Sequence, residues 1–276
     1  MGSYLRPRRL EDALTALARP HVVLAGGTDF YPARVGRAID EDVLDIGEIA
    51  ILRGISANAA GWRLGATTTW SELIEADLPP LFDGLKQAAR EVGGRQIQNA
   101  GTLAGNLCNA SPAADGVPCL LTLDAEIEIA GAAGSRRLPL RRFITGVRRT
   151  VLSPGELVVA IHVPRPGHEA RSAFLKLGTR RYLVISIAMA AATLEIADGR
   201  VASARIAVGA CSPVAERLPE LEAVLKGAPL DQRLADRVEV SHLAPLSPID
   251  DVRGSAAYRS DAVVTVLRRL LAGFSR

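Results

Sequence analysis

The strongest constraint on the fold is a single change of hydrophobic grammar at Pro164-Arg165-Pro166-Gly167-His168-Glu169-Ala170. Before it, apolar runs are short and separated by glycine pairs and helical patterns. After it, long apolar stretches follow one another at 171–177, 184–196 and 201–209. A segment with two prolines and a glycine cannot continue a helix or a central strand, so it reads as a linker. The last two runs meet at Asp198-Gly199, a dipeptide that readily adopts the positive φ angles of a tight hairpin. Beyond them, 214–225, 231–242 and 256–272 show helical spacing, the last with Val263, Val264, Leu267, Leu270 and Leu271 on one side. The expected fold class is α+β: an N-terminal unit over 1–166, then a smaller unit over 170–276 of antiparallel sheet plus helices.

Within the first unit, Leu10, Leu14 and Leu17 predict a short helix over 8–18. Strands are predicted at 21–25, 43–46, 62–66, 125–129 and 157–163, and a helix over 83–92 that stops at Gly93-Gly94. Thr69 and Glu72 have capping-box spacing, which opens a helix near Ser71.

Composition excludes several classes of function. Cys108, Cys119 and Cys211 include no C-x-x-C pair, so neither a disulfide framework nor a metal cluster held by this chain is expected. His21, His162, His168 and His242 show no ligand spacing and receive no role, and no metal site is predicted. The net charge of +3 does not argue for nucleic acid. Of 33 basic residues only Lys86, Lys176 and Lys226 are lysines. The run Arg136, Arg137, Arg141, Arg142, Arg148 and Arg149 reads as a solvated face, or alternatively as a partner-facing surface. The longest apolar stretch, Tyr182–Leu194, falls short of the ~20 residues of a spanning helix. With no secretory pattern at Met1–Leu10, the expected location is the cytoplasm.

Two small-residue loops stand out, and neither is a P-loop or a G-x-G-x-x-G turn. The first, Ala25-Gly26-Gly27-Thr28-Asp29, directly follows a strand. Its paired glycines let backbone N–H groups converge on an anion, and Thr28 adds a hydroxyl. The second is Gly101-Thr102-Leu103-Ala104-Gly105-Asn106, followed by Asn109, Ser111 and Pro112. It too is expected to offer backbone donors and polar side chains. Either loop alone reads as an ordinary turn; together they suit the two halves of a pyrophosphate.

Val23-Leu24-Ala25-Gly26-Gly27-Thr28-Asp29 resembles the first flavin-binding loop of the FAD-binding medium subunit of the molybdenum hydroxylases, the xanthine dehydrogenase and carbon monoxide dehydrogenase family. Gly94 through Asn106 resembles the second. Asn109 through Asp115, Ala173-Phe174-Leu175-Lys176 and Asp251 through Arg259 also match, in order and along nearly the whole chain. The resemblance implies a two-subdomain FAD-binding domain of the vanillyl-alcohol oxidase type, then a smaller C-terminal α+β domain. It implies FAD on this chain, held by Val23, Leu24, Ala25, Gly26, Gly27, Thr28, Asp29 and Phe30 and by Thr102, Ala104, Gly105 and Asn106. Asp115 is implied near the ribityl–phosphate region, Val158 at the flavin through its backbone, and Lys176 near the isoalloxazine ring, where a cation stabilises reduced flavin. No catalytic acid or base is nominated.

The implied partners are a large molybdopterin subunit and a small subunit with two [2Fe–2S] clusters, assembled as a dimer of heterotrimers. Electrons then pass through FAD to an external acceptor. Two features depart from the family pattern. Ala104 replaces the first of two adjacent glycines, which FAD binding tolerates only at negative φ, and Gln98 stands where an arginine is common. A cysteine-bearing insert found in hydroxybenzoyl-CoA reductases is missing. Two alternatives stay open: a self-contained flavin oxidoreductase, whose only candidates over the flavin are Lys176 and Tyr182, and a flavin-free assembly scaffold.

Overall fold

A computed structural model describes residues 2–275. The chain opens with β1 (Tyr4–Leu5), helix α1 (Leu10–Ala16), β2 (Val22–Leu24) and β3 (Val43–Asp45). These strands form a parallel sheet in the order β1-β3-β2. Helix α1 lies on the crossover from β1 to β2, which flank β3, and Ala13 and Leu17 are buried with Leu44 and Ile46. The same cluster takes in Leu157 and Val159, so this small layer packs onto a second sheet.

That sheet contains β4 (Ile55–Ala57), β5 (Gly61–Gly65), β6 (Glu126–Gly131), β7 (Gly134–Pro139) and, after a minor hairpin of β8 (Ile144–Gly146) and β9 (Arg149–Thr150), β10 (Leu157–Pro164). Its order is β4-β5-β10-β6-β7 and all its pairs are antiparallel. Between β5 and β6 lie α2 (Trp70–Glu75), α3 (Asp83–Glu91), α4 (Arg95–Ala100), α5 (Leu103–Asn109) and α6 (Gly116–Thr122). The capping box is present: Thr69 Oγ1 accepts from the Glu72 N–H, and Glu72 Oε2 accepts from the Thr69 N–H at 2.8 Å. Trp70, Phe82, Leu85, Leu103, Leu107 and Leu120 fill the space between these helices and the sheet.

The last part carries an antiparallel sheet of β11 (Glu169–Leu177), β12 (Ala188–Ala197), β13 (Arg200–Gly209) and β14 (Glu216–Arg217), in sequence order. Asp198 and Gly199 have φ of 51° and 69°, both left-handed, as the hairpin reading requires. Along β12, Met189 and Ala191 face the first part of the chain, while Ala188, Ala190, Ala192 and Leu194 face α7 (Pro219–Leu225) and α8 (Ala256–Ala272). Both faces of this strand are buried, which explains its nearly unbroken apolar sequence. The outer edge of β11 is covered by α3. The Gly84 N–H donates to Ser172 Oγ at 2.8 Å, and Gln87 Oε1 accepts from the Phe174 N–H at 2.8 Å.

Four expectations are corrected. The helix expected over 214–225 starts at Pro219, because Glu216 and Arg217 pair with β13 as β14. The stretch 184–187 is irregular, and β12 starts at Ala188. The helix expected over 231–242 is two 3-10 turns, Gln232–Arg237 and Val240–Leu243. They are split because Val238 and Glu239 are extended, and the Glu239 N–H is capped by His242 Nδ1 at 3.0 Å. The segment from Leu103 to Asn106, expected as a loop, is the first half of helix α5. Among the described residues no helix is long and apolar enough to cross a membrane.

Candidate flavin-binding cleft

A cleft of about 740 Å³ opens where β2 ends, between the parallel layer, the five-stranded sheet and the α4–α5 junction. It is lined by Val23, Leu24, Ala25, Gly26, Gly27, Thr28, Asp29 and Phe30 from one side. From the other come Thr102, Ala104, Gly105 and Asn106, with Val158 on β10. Thirteen of the fifteen residues singled out in the sequence therefore share one surface.

The two glycine-bearing segments are in contact. A Cβ on Gly26 would lie 1.9 Å from the Ala100 carbonyl oxygen, so only a residue without one permits this approach. Gly27 has a φ of 72°, which turns the chain back after β2. Thr28 Oγ1 lies 3.5 Å from the place a Cβ on Gly101 would take. Among the described residues, no N–H from Gly26 to Asp29 donates a hydrogen bond to another protein atom. Backbone donors lining a cavity without protein partners suit an anionic ligand.

The second segment is built differently. The Leu103 and Ala104 N–H groups donate to Thr68 and Ala66 carbonyls, at 3.0 and 3.3 Å. Thr102 caps the helix: its Oγ1 accepts from the Gly105 N–H at 3.1 Å, and its carbonyl accepts from Asn106. Its backbone donors from Leu103 to Asn106 are thus taken up within the fold, contrary to the sequence reading. What it presents instead is a side chain. Asn106 lines the cleft, while its Oδ1 is shut off from water without a hydrogen-bond partner, 3.0 Å from the place a Cβ on Gly116 would take. Ala104 is helical and is not among the residues of positive φ, so the alanine sits where the backbone suits it. Gln98 is buried, and its amide donates to the Arg90 carbonyl at 3.1 Å, tying α4 to the last turn of α3.

Val158 lies beside a register shift in the pairing of β10 with β6, and such bulges re-aim the local backbone. Asp115 and Lys176 do not line the cleft. Lys176 Nζ donates to Asp115 Oδ2 at 2.7 Å, and both side chains are almost wholly buried. Asp115 Oδ1 also accepts from Ser186 Oγ at 2.8 Å. Burial pushes the Asp115 carboxyl up from its ordinary range, and the Lys176 charge opposes the shift. Although Asp115 precedes α6, its side chain makes no capping bond. Tyr182 is exposed and outside the lining.

Sequence reasoning missed several lining residues, among them Arg34, Trp70, Cys108, Glu156 and Ile185. Arg34 carries a signal only in three dimensions: its guanidinium lies 3.9 Å from the centre of the Phe30 ring and bonds the Phe30 carbonyl at 3.0 Å. Among the described residues, no group of three or more His, Cys, Asp or Glu is placed to hold a metal.

Residues 1–166 match the family model described as the FAD binding domain in molybdopterin dehydrogenase, and 173–273 match the CO dehydrogenase flavoprotein C-terminal domain. The chain belongs to this family. The molybdopterin dehydrogenase flavoproteins it resembles include a putative xanthine dehydrogenase FAD-binding subunit of Escherichia coli K12, 32% identical over 98% of this chain and 94% of that protein. The carbon monoxide dehydrogenase medium chain of Afipia carboxidovorans is 31% identical over 96% of this chain and 94% of that one. In solved structures, reconstituted CO dehydrogenase from Oligotropha carboxidovorans matches with a TM-score of 0.89 and 30% identity over 100% of this chain and 97% of that one. Quinoline 2-oxidoreductase from Pseudomonas putida 86 matches with a TM-score of 0.90 and 26% identity over 100% and 97%. The family is one of oxidoreductase flavoprotein subunits, and the α+β architecture of this molybdopterin dehydrogenase flavoprotein agrees with it.

Proposed function

We propose that this chain binds FAD in the cleft and serves as the electron-passing subunit of a molybdenum hydroxylase. The observation that carries the reading is that Gly26–Asp29, whose N–H groups have no protein partner, line one cavity together with Thr102 and Asn106. The first loop holds the pyrophosphate through backbone donors, with the Thr28 hydroxyl beside it. Asn106 and Val158, which line the same cleft, would contact the remainder of the ligand. Bound FAD would take up and release electrons at its ring. Asp115 and Lys176 act from behind the wall, Lys176 by holding Asp115 and the Glu91 carbonyl, the latter at 3.5 Å.

Of the carboxylates that line the cleft, Glu156 is held by Arg136 at 2.8 Å, and the work proposed for the lining residues is to bind, orient and exclude water. In this reading electrons arrive from a small subunit with two [2Fe–2S] clusters and originate at the molybdopterin of a large subunit. They leave to an external acceptor, in a cytoplasmic dimer of heterotrimers. The domain division at 166 and 170 belongs to the same proposal, with the flavin held by the first domain and its wall braced by the second.

The test is to purify the chain gently and record its visible spectrum, then titrate apoprotein with FAD and with FMN. Flavin bands and a marked preference for FAD are expected, because FMN lacks the pyrophosphate that the first loop addresses. Equal affinity for the two would refute the assignment of that loop, and no flavin binding at all would refute the whole reading. Co-purification with molybdenum- and iron-containing polypeptides tests the assembly.

A further inference from the structure

Arg259 is only 2% exposed, near the start of α8, one and two turns before the buried Val263 and Val266. Its Nη1 donates to the Ile187 carbonyl and, at 2.9 Å, to the Ala210 carbonyl. Its Nη2 donates to Asp251 Oδ1 at 2.6 Å, and its Nε has no partner. Asp251 is itself held in a turn: its Oδ1 accepts from the Arg253 N–H at 2.7 Å, and its backbone pairs with Gly254. The motif Asp251–Arg259, which the cleft does not otherwise use, thus builds one buried, carboxylate-paired guanidinium.

Both carbonyls it holds belong to segments that brace the cleft. Ile187 follows Ser186, which bonds Asp115, and Ile185, which lines the cavity. Ala210, at a φ of 62°, donates its N–H to the Pro112 carbonyl at 3.0 Å, just ahead of Asp115. A buried cation is costly unless paired, and packing alone would be served by an apolar side chain. A planar fork that reaches two carbonyls and a carboxylate at once is specific to arginine.

We propose that Arg259 is a positioning residue of the flavin cleft, fixing Ile185–Ile187 and Pro112–Asp115 against each other so that the cavity keeps the shape its ligand needs. The inference rests on the FAD reading above for its ligand, but not for its geometry. The test compares wild type, Arg259→Lys, Asp251→Asn and, as a stability control, Leu267→Ala, whose side chain is fully buried in the core of the C-terminal unit. Readouts are amide hydrogen exchange at residues 185–187, the FAD dissociation constant of the apoprotein, and Tm.

Arg259→Lys is expected to speed exchange at 185–187 and weaken FAD by about tenfold, the size of a lost charge-assisted hydrogen bond. Asp251→Asn, which leaves the arginine in place, shows the same changes to a smaller degree and remains informative if the lysine variant does not fold. Leu267→Ala lowers Tm while leaving FAD affinity within about twofold, as expected for a core truncation. Unchanged exchange and affinity in both motif variants would overturn the inference. So would a loss of affinity in Leu267→Ala as large as in Arg259→Lys. If wild type binds no FAD, the cofactor assignment fails while the exchange result still decides the role of Arg259.

Discussion

Ala25–Phe30 and Gly101–Asn106 are both short, rich in small residues, and in contact where Gly26 meets the Ala100 carbonyl. One leaves its backbone donors from Gly26 to Asp29 without protein partners; the other uses those from Leu103 to Asn106 to start a capped helix and tie it to Ala66 and Thr68. The same composition therefore serves two physical ends. Where a strand runs out into paired glycines, nothing local claims the N–H groups, and they stay available to a ligand. Where a threonine precedes a glycine by three, its side chain claims that glycine's N–H, carbonyls of the fold claim the donors before it, and the chain becomes a rigid wall. The first loop is expected to grip, the second to shape.

The largest effect should come from the place where the two touch. In Gly26→Ala the new methyl would meet backbone on the facing segment, which cannot rotate away as a side chain would. The loops must separate, at a cost of about 3 kcal/mol, the upper end for overpacking. FAD affinity should fall by about 100-fold if that strain is relieved only by opening the cleft. Titration with FAD, alongside a thermal melt, checks both. A variant that binds FAD like wild type would mean that the contact between the loops does not set the cavity's shape.

A smaller effect, opposite in sign for the empty and loaded protein, is expected at the second segment. Asn106→Leu removes a buried acceptor that has no partner, so the apoprotein should melt at the same temperature or higher, by up to about 1 kcal/mol of stability. The same change removes the polar amide that lines the cleft, and FAD affinity should fall by about tenfold. Gain in one measurement and loss in the other would mark Asn106 as a ligand residue. A parallel loss in both would make it an ordinary structural amide.

The comparison also shows what could be read without coordinates. Strands such as Leu157–Pro164, the hairpin at Asp198-Gly199 and the helix over 256–272 were legible because periodicity and turn chemistry are local. The first loop was legible as a glycine turn leaving a strand, and only its pairing with the second pointed to an anion. The availability of donors in the second was not, because Thr68 and Ala66, which accept from Leu103 and Ala104, lie more than thirty positions away. Lys176 was singled out by its matched position alone; the structure adds that its ammonium is buried against Asp115. Ile185 and Arg259 reach the site through contacts that no spacing in one chain reveals.

The smallest effect is the sharpest test of the wall. Ala104 lies in the first turn of α5, buried, helical, and bonded through its N–H to the Ala66 carbonyl. If this segment only shapes the cavity, Ala104→Gly should act as any Ala-to-Gly change in a helix does, costing at most about 1 kcal/mol through backbone entropy. FAD affinity should then stay within about twofold, since no donor or acceptor is gained or lost. If the family's glycine instead lets the backbone approach the pyrophosphate, the variant should bind FAD severalfold more tightly despite its lower stability. Measuring Tm and the FAD dissociation constant on the same preparation separates the two. A tighter, less stable Ala104→Gly would place both loops in direct contact with the cofactor and remove the division of labour between them.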